Sequence, residues 1–431
     1  MDPHAGVPHI SAARGAAGKG RIVTQETPGA IPPLAGIRVV EVGNFLAAPI
    51  ACALMADMGA EVIKVEPPGG DTTRNMRNKA GTAPVANHSF HALNRGKRSI
   101  TLDLARPGAA EVVLRLVEDS DVFVTNLMTE RLERFGLTYA AVRERSPDIV
   151  FAQVTGWGSS GPGASRPGFD STSYWAGSGL MALMGEVGTP AVVSRGGQGD
   201  YPSGLTLLTA VLAALRVRDQ TGEAQFVDVT LQRAGLWSLA SEAQQVLNNP
   251  AYRAERFDRT KADLATRNSY ETSDGRWMML TMHNIEYWGR VCTALDRPDW
   301  ANDPRYVSAE QMPQNQTELI PEIDAIFRSK DFPYWSKRLD ECGCVWAVAA
   351  TMDEVTSDAE LRRQGTFQQI PDVDEQGHSI EVVSAPFTVS GAQIAPRGKG
   401  PNLGEHSHEV LLEAGYSEDE ISDIASEGLL G

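Results

Sequence analysis

Short apolar runs rich in β-branched residues recur along the first half of the chain, each separated from the next by a helix-length segment. Residues 37–42 (IRVVEV) form the first run. Pro49 then stands where a helix opens, a place that tolerates its missing N–H, and residues 50–58 continue as an apolar helical stretch ending near Gly59. Residues 61–66 (EVIKVE) read as the next strand. Strand, helix and strand over so short a span make a βαβ unit, with parallel strands and a right-handed crossover. The alternation continues with strands at 98–103, 121–125 and 148–154 and a helix over 107–119. After a Gly-rich loop at 156–168 come a long apolar helix over 202–218, a strand at 225–231 and a helix over 232–247. This pattern predicts a doubly wound α/β sheet.

Beyond it the period is lost. Residues 249–267 are polar and charged and read as a linker. Asp274-Gly275 marks a hairpin turn into an apolar strand at 276–282, and helices are expected over 286–295, 317–328 and 333–342. A smaller α+β domain over 249–355 follows from this. The remainder carries short strands at 380–383 and 386–389 and a helix after Gly404. Residues 1–34 lack both periodicity and the apolar stretch of a signal peptide, and are expected to be a disordered tail.

Charge and cysteine content exclude several classes. A net charge of −16 is wrong for a protein that binds nucleic-acid phosphates nonspecifically. No run of 18 apolar residues is present, so no spanning helix is expected. Four cysteines in 431 residues are no disulfide framework. Cys342 and Cys344 lack a second pair at zinc-like spacing, so no metal site is expected, and Cys52 and Cys292 read as core. The expected compartment is the cytoplasm.

A βαβ start with Glu66 after the second strand invites a dinucleotide reading. That fingerprint needs three glycines in the first turn, so that backbone can approach the pyrophosphate. Here the turn is Gly43-Asn-Phe-Leu-Ala-Ala-Pro49; two of the glycines are missing, and Phe45 and Leu46 obstruct the approach.

The same residues resemble a different family. The segments 36–42 (GIRVVEV), 47–49 (AAP) and 55–74 (MADMGAEVIKVEPPGGDTTR) are similar to the N-terminus of class III CoA transferases. That family includes formyl-CoA and carnitine CoA transferases and the related α-methylacyl-CoA racemases. The resemblance continues through 94–103 (NRGKRSITLD), 156–162 (GWGSSGP), 199–204 (GDYPSG), 221–222 (TG) and 401–406 (PNLGEH), from about residue 36 to the C-terminus. It implies a Rossmann-like large domain over 35–248, completed by a C-terminal return at 356–431, and an interlocked homodimer. It implies transfer of coenzyme A from an acyl-CoA to a carboxylic acid, with CoA as substrate and no tightly bound cofactor. No membrane or nucleic-acid partner is expected.

In this family one aspartate attacks the thioester, and the matching residue is Asp200, within Gly196-Gly-Gln-Gly-Asp-Tyr-Pro-Ser-Gly204. A carboxylate suits the chemistry, because a mixed aspartyl anhydride is reactive enough to be opened again by a thiolate or a carboxylate. An exposed Asp titrates near ~3.9, so the anion needs no activating base. The neighbouring glycines offer backbone N–H groups to a developing oxyanion. The competing reading is that Asp200 merely caps the following helix. In the racemase branch a His-Asp pair follows the Gly-Pro loop. Phe169-Asp170 stands there instead, and phenylalanine cannot carry a proton, which favours a transferase. Asp170 reads as the N-cap of a helix over 171–183.

The resemblance places the CoA contacts on Leu46, Ala47, Pro67, Leu102, Asn126, Leu127, Arg134, Thr155 and Gly156. Lys64, Arg74, Arg95, Lys97, Arg98, Arg131 and Arg134 are candidate phosphate partners, Arg134 foremost. Leu46 replaces a glutamine of the formyl-CoA branch, and no glycine flap is found. Trp157, Tyr174, Trp175 and Tyr201 are candidates for an apolar acyl pocket. His283, His406 and His408 read as structural.

Overall fold

The computed structural model describes residues 30–76, 87–282, 285–308 and 310–430. Val39, Val40 and Val42 send branched side chains to both faces of the first strand, β1 (Arg38–Val42), and all three are buried. A strand covered on both sides belongs inside a parallel sheet. Around it lie β2 (Glu61–Glu66), β3 (Arg98–Thr101), β4 (Val122–Thr125), β5 (Val150–Thr155) and β6 (Gln225–Thr230). All neighbours are parallel and the spatial order is 3-2-1-4-5-6, the doubly wound arrangement that the strand-helix alternation predicts.

Alternate residues feed two cores. Val39, Val62, Val122 and Val150 pack with helices α1 (Ala47–Asp57) and Asp200–Thr221. Val40, Ile63, Phe123 and Phe151 pack with Ala109–Glu118 and with the C-terminal helices Ser407–Glu413 and Glu418–Ser426. The last residues therefore return to the first sheet. Backbone and side chains tie them there: Ser99 N–H donates to His406 Nδ1 (3.2 Å), and the Asp103 N–H donates to the Leu429 carbonyl (2.9 Å). His406 is thus a packing residue. His408 pairs with Glu418 at 2.8 Å on the outer surface. His283 lies outside the described residues, as do 1–29 of the expected tail. Residues 30–34 correct that expectation: Leu34 is buried, and the Ile31 N–H donates to the Gly391 carbonyl.

A third core surrounds the antiparallel strands β7 (Arg267–Glu271), β8 (Trp277–Thr281) and β9 (Trp346–Val348), with the hairpin turn at Asp274-Gly275. Trp288, Trp300, Tyr306 and Phe327 fill it. The strand expected at 386–389 is absent; only Phe367–Ile370 and Ile380–Val383 pair there. Pro386 has no N–H to give a ladder. Two expected helices are each broken into two, at Leu239 and around Gly415.

One contact sets the geometry of everything that follows. At Gly204 a Cβ would sit 2.8 Å from Ile50 Cβ and 2.9 Å from the Ala47 carbonyl oxygen. The absent side chain lets the N-terminal ends of α1 and of Asp200–Thr221 touch, which brings Asp200 over the turn that follows β1.

Candidate active site

Asp200 is the first residue of its helix, and Gly199 precedes it as the cap position. Gly199 is pressed against buried Tyr174, whose ring would lie 2.5 Å from an added Cβ. The capping role is thereby excluded for Asp200, whose side chain accepts no bond from the helix. Its carboxylate has no hydrogen-bond donor among the described residues and opens into a cavity of about 270 Å³. The cavity lies at the C-terminal ends of β1, β4 and β5, where the strand order reverses and doubly wound sheets hold their ligands.

Asp170 is not a cap either. It opens a wide helical turn, Asp170–Ala176, and its Oδ2 accepts the Gly197 N–H at 2.8 Å while Oδ1 accepts that of Ser171 at 2.7 Å. It fastens the loop before Asp200. Burial, and next the negative charge of Asp170, push the Asp200 carboxyl up to about 7. The sequence-based expectation of an ordinary, fully ionised aspartate is corrected accordingly. The oxyanion donors expected in this loop are fewer than its glycines suggest. The N–H groups of Gly197, Gln198, Asp200 and Tyr201 are already donated, to Asp170, Arg195 and Gly197.

The turn after β1 forms one wall. Asn126 Oδ1 accepts the Asn44 N–H (3.0 Å) and its Nδ2 donates to the Asn44 carbonyl (2.6 Å). Asn44 Oδ1 accepts the N–H groups of Phe45 (2.7 Å) and Thr72 (3.0 Å). So held, Phe45 adopts a left-handed backbone with φ of 65°, which costs a residue with a Cβ roughly 1 kcal/mol. Beneath this turn Lys64 Nζ bonds Glu41 (2.8 Å), Asp71 (2.9 Å) and the Gly43 carbonyl (3.0 Å). Lys97 Nζ bonds the other Glu41 oxygen (2.7 Å) and the Pro49 carbonyl (3.0 Å).

Most of the candidate phosphate partners are spent on such pairs. Besides Lys64 and Lys97, Arg74 grips Glu66 (2.6 Å), Arg95 grips Asp57 (2.6 Å) and Arg98 grips Glu61 and Glu413 (both 2.7 Å). Glu66 is itself buried, so the ribose role of a dinucleotide protein is closed to it. Among the described residues Arg131 and Arg166 line the cavity with no carboxylate partner.

A family model described as CoA-transferase family III matches residues 34–407. The chain belongs to CoA-transferase family III. Two relatives show the range. The (R)-2-hydroxy-4-methylpentanoate CoA-transferase of Clostridioides difficile is 28% identical over 91% of this chain and 98% of its own. The succinate–glutarate CoA-transferase of Agrobacterium fabrum is 30% identical over 90% of this chain and 97% of its own. A solved CAIB/BAIF family protein from Brucella suis superposes with a TM-score of 0.75 at 28% identity, covering 89% of this chain and 100% of that one. The activity of this family III enzyme is transfer of coenzyme A between an acyl-CoA and a carboxylic acid.

Within the family III chain, Leu46, Ala47, Asn126, Leu127, Thr155 and Gly156 line one cavity with Asp200. Pro67, Leu102 and Arg134 are not brought to it. β2 and β3 lie on the far side of β1, which removes Pro67 and Leu102, and Leu102 is also fully buried. Arg134 sits in the last turn of Thr129–Phe135, whereas Arg131, a turn earlier and nearer the end of β4, lines the cavity. The expected aromatic pocket is displaced as well. Tyr174 and Trp175 are buried in core, and Trp157 carries the Arg166 guanidinium 3.6 Å above its ring. The rings at the cavity are Phe45 and Phe169, and no spacing in the sequence signals that they meet.

Proposed function

We propose that Asp200 is the nucleophile of the transfer and that the CoA thioester enters the crevice beyond β1 and β4. The observation that carries this reading is a half-buried carboxylate, without a hydrogen-bond donor among the described residues, lining the cavity of an enzyme whose family moves CoA. In the first step an Asp200 oxygen bonds to the acyl carbon, the C–S bond breaks, and CoA leaves as thiolate. The thiolate then attacks the aspartyl carbonyl of the mixed anhydride and releases the donor acid as carboxylate. The acceptor carboxylate displaces CoA from the aspartyl thioester, and the thiolate finally takes the new acyl group and frees Asp200. Each step exchanges one anion for another, so no proton is consumed.

Arg131 and Arg166 are the cations that would meet the phosphates of CoA, because fixed positive charge must offset an acidic chain locally. A cavity of about 270 Å³ holds an acyl group and a thiol end, so the nucleotide end of CoA lies outside it, across the rim where Arg131 and Arg166 are exposed. Phe169 supplies no proton carrier on the face where a racemase needs one, which disfavours isomerisation. Exposed apolar side chains on Leu231–Ser238 and Ala240–Asn248 support a homodimer.

Hydroxylamine quenching of the enzyme with acetyl-CoA tests the mechanism. Mass spectrometry is expected to find a hydroxamate on the peptide carrying Asp200, and Asp200→Ala is expected to lose at least about a thousandfold in turnover. Full activity in Asp200→Ala would overturn the assignment.

A further inference from the structure

Two phenylalanines stand at the wall of the Asp200 cavity with their rings largely uncovered. Phe45 and Phe169 meet edge to face, centroids 5.9 Å apart at 74°. They are 38% and 59% exposed, whereas Phe123, Phe151 and Phe327 are all fully buried. Apolar rings left in water forgo the burial that normally drives them inward. Leu46, Leu127, Val154 and Leu231 continue the apolar surface around the same cavity.

Both rings are positioned by polar contacts of the backbone that carries them. Phe45 is kept in its left-handed backbone by the Asn44–Asn126 clamp. Phe169 is held through its backbone: its N–H donates to Thr172 Oγ1 (2.9 Å), and its carbonyl accepts from Ser173 Oγ (2.7 Å). Strain retained at a cavity wall marks a position that the site uses.

We propose that the Phe45–Phe169 pair selects the acid, and that the enzyme acts on acids with an aryl or branched alkyl chain. This rests on the Asp200 transferase reading above. The rings cover the chain while Asp200 meets the carbonyl carbon. A dicarboxylic acid is disfavoured, because its second carboxylate would meet the apolar wall of Phe45, Phe169, Leu46 and Leu127 beside the charge of Asp200, and the two arginines of the cavity are exposed at its rim. Each of those cations also lies over a ring of its own, Arg131 over Phe135 and Arg166 over Trp157.

The test is CoA transfer from acetyl-CoA to phenylacetate, 4-methylpentanoate and succinate by the wild type, Phe169→Ala and Phe169→Leu. The wild type is expected to prefer phenylacetate and 4-methylpentanoate over succinate by about tenfold or more in kcat/KM. Phe169→Ala is expected to lower the phenylacetate-to-succinate ratio by about tenfold, and Phe169→Leu to spare the 4-methylpentanoate ratio. A wild-type preference for succinate, or a Phe169→Ala change that scales all acids alike, overturns the proposal. Hydroxylamine trapping on each variant separates the two readings. A hydroxamate at Asp200 together with indifference to Phe169 removes the ring pair alone. No hydroxamate with acetyl-CoA, phenylacetyl-CoA or 4-methylpentanoyl-CoA, and no transfer to any acid, removes the transferase chemistry and the ring pair with it.

Discussion

As the proposed nucleophile Asp200 would have to be an anion, and it is held where an anion is disfavoured. Burial raises its carboxyl, and Asp170, fixed by the Gly197 and Ser171 N–H groups, adds a like charge, so the titration falls at about 7. The direction of the pH dependence follows. Below the titration the carboxyl is protonated and inert, and the rate climbs as pH rises through about 7. Asp170→Asn removes the charge and keeps an acceptor for Gly197. Its acidic limb is expected to move to lower pH, raising kcat/KM at pH 6 by about threefold relative to its value at pH 8, the gain expected of half a pKa unit. A pH–rate profile of kcat/KM checks this, and an unmoved limb would show that Asp170 does not set the titration. The proposed nucleophile could be read from the sequence because a motif carries it. Its titration was not, since that depends on a second carboxylate thirty residues away that only the fold brings near. The same holds for the basic residues. Seven looked alike as letters, and five turned out to be bound to carboxylates.

At the scale of elements, the turn after β1 is shaped from below by a buried charge cluster. Burial alone would push the Glu41 carboxyl up, but Lys64 and Lys97 hold it below the ordinary range. Burial depresses Lys97; it would depress Lys64 too, yet Glu41 and Asp71 raise that lysine instead. Two cations and two carboxylates balance there, and the lysines' remaining bonds go to Asn94 Oδ1 and to the carbonyls at either end of the turn, Gly43 and Pro49. Glu41→Gln leaves the two lysines facing one carboxylate. It is expected to cost about 3–5 kcal/mol, a fall in Tm of at least about 6 °C, and to raise the KM for acyl-CoA. Glu61→Gln on the half-exposed end of β2 is expected to stay within about 1 kcal/mol. Thermal melts of both variants decide it, and equal Tm values would refute the cluster's role. Why were the strands readable and this cluster not? Strands buried on both faces must be apolar along their whole length, and that is a local property. Ion pairs between β1, β2 and the segment before β3 join residues far apart in the chain. Helix breaks were lost for a related reason. Leu239 interrupts its helix without a proline or glycine to announce it.

At the scale of the whole molecule, two helices after β6 carry an apolar surface with no partner among the described residues. Trp237 and Leu247 are 79% and 80% exposed, and Leu236 and Val246 on the same two helices are about half exposed. No residue of Ala240–Asn248 is buried. A helix that covers nothing in its own chain gains stability only by packing on something else. Large side chains grouped this way mark an interface. A second copy of this chain is the occupant that the family resemblance suggests, and the location of these helices supports it. They follow β6 directly, and Leu231, the first residue of the pair, also lines the Asp200 cavity. Pairing across them would therefore connect the two subunits next to their active sites. Light scattering coupled to size exclusion is expected to give twice the 46.5 kDa of the chain. The double change Trp237→Lys and Leu247→Lys removes two anchors worth about 2–3 kcal/mol each on full burial. It is expected to shift the mass toward one chain at micromolar concentration and to lower kcat/KM. A wild-type enzyme that runs as a single 46.5 kDa chain at full activity would remove the dimer from this account, and the exposed tryptophan would then need a different partner.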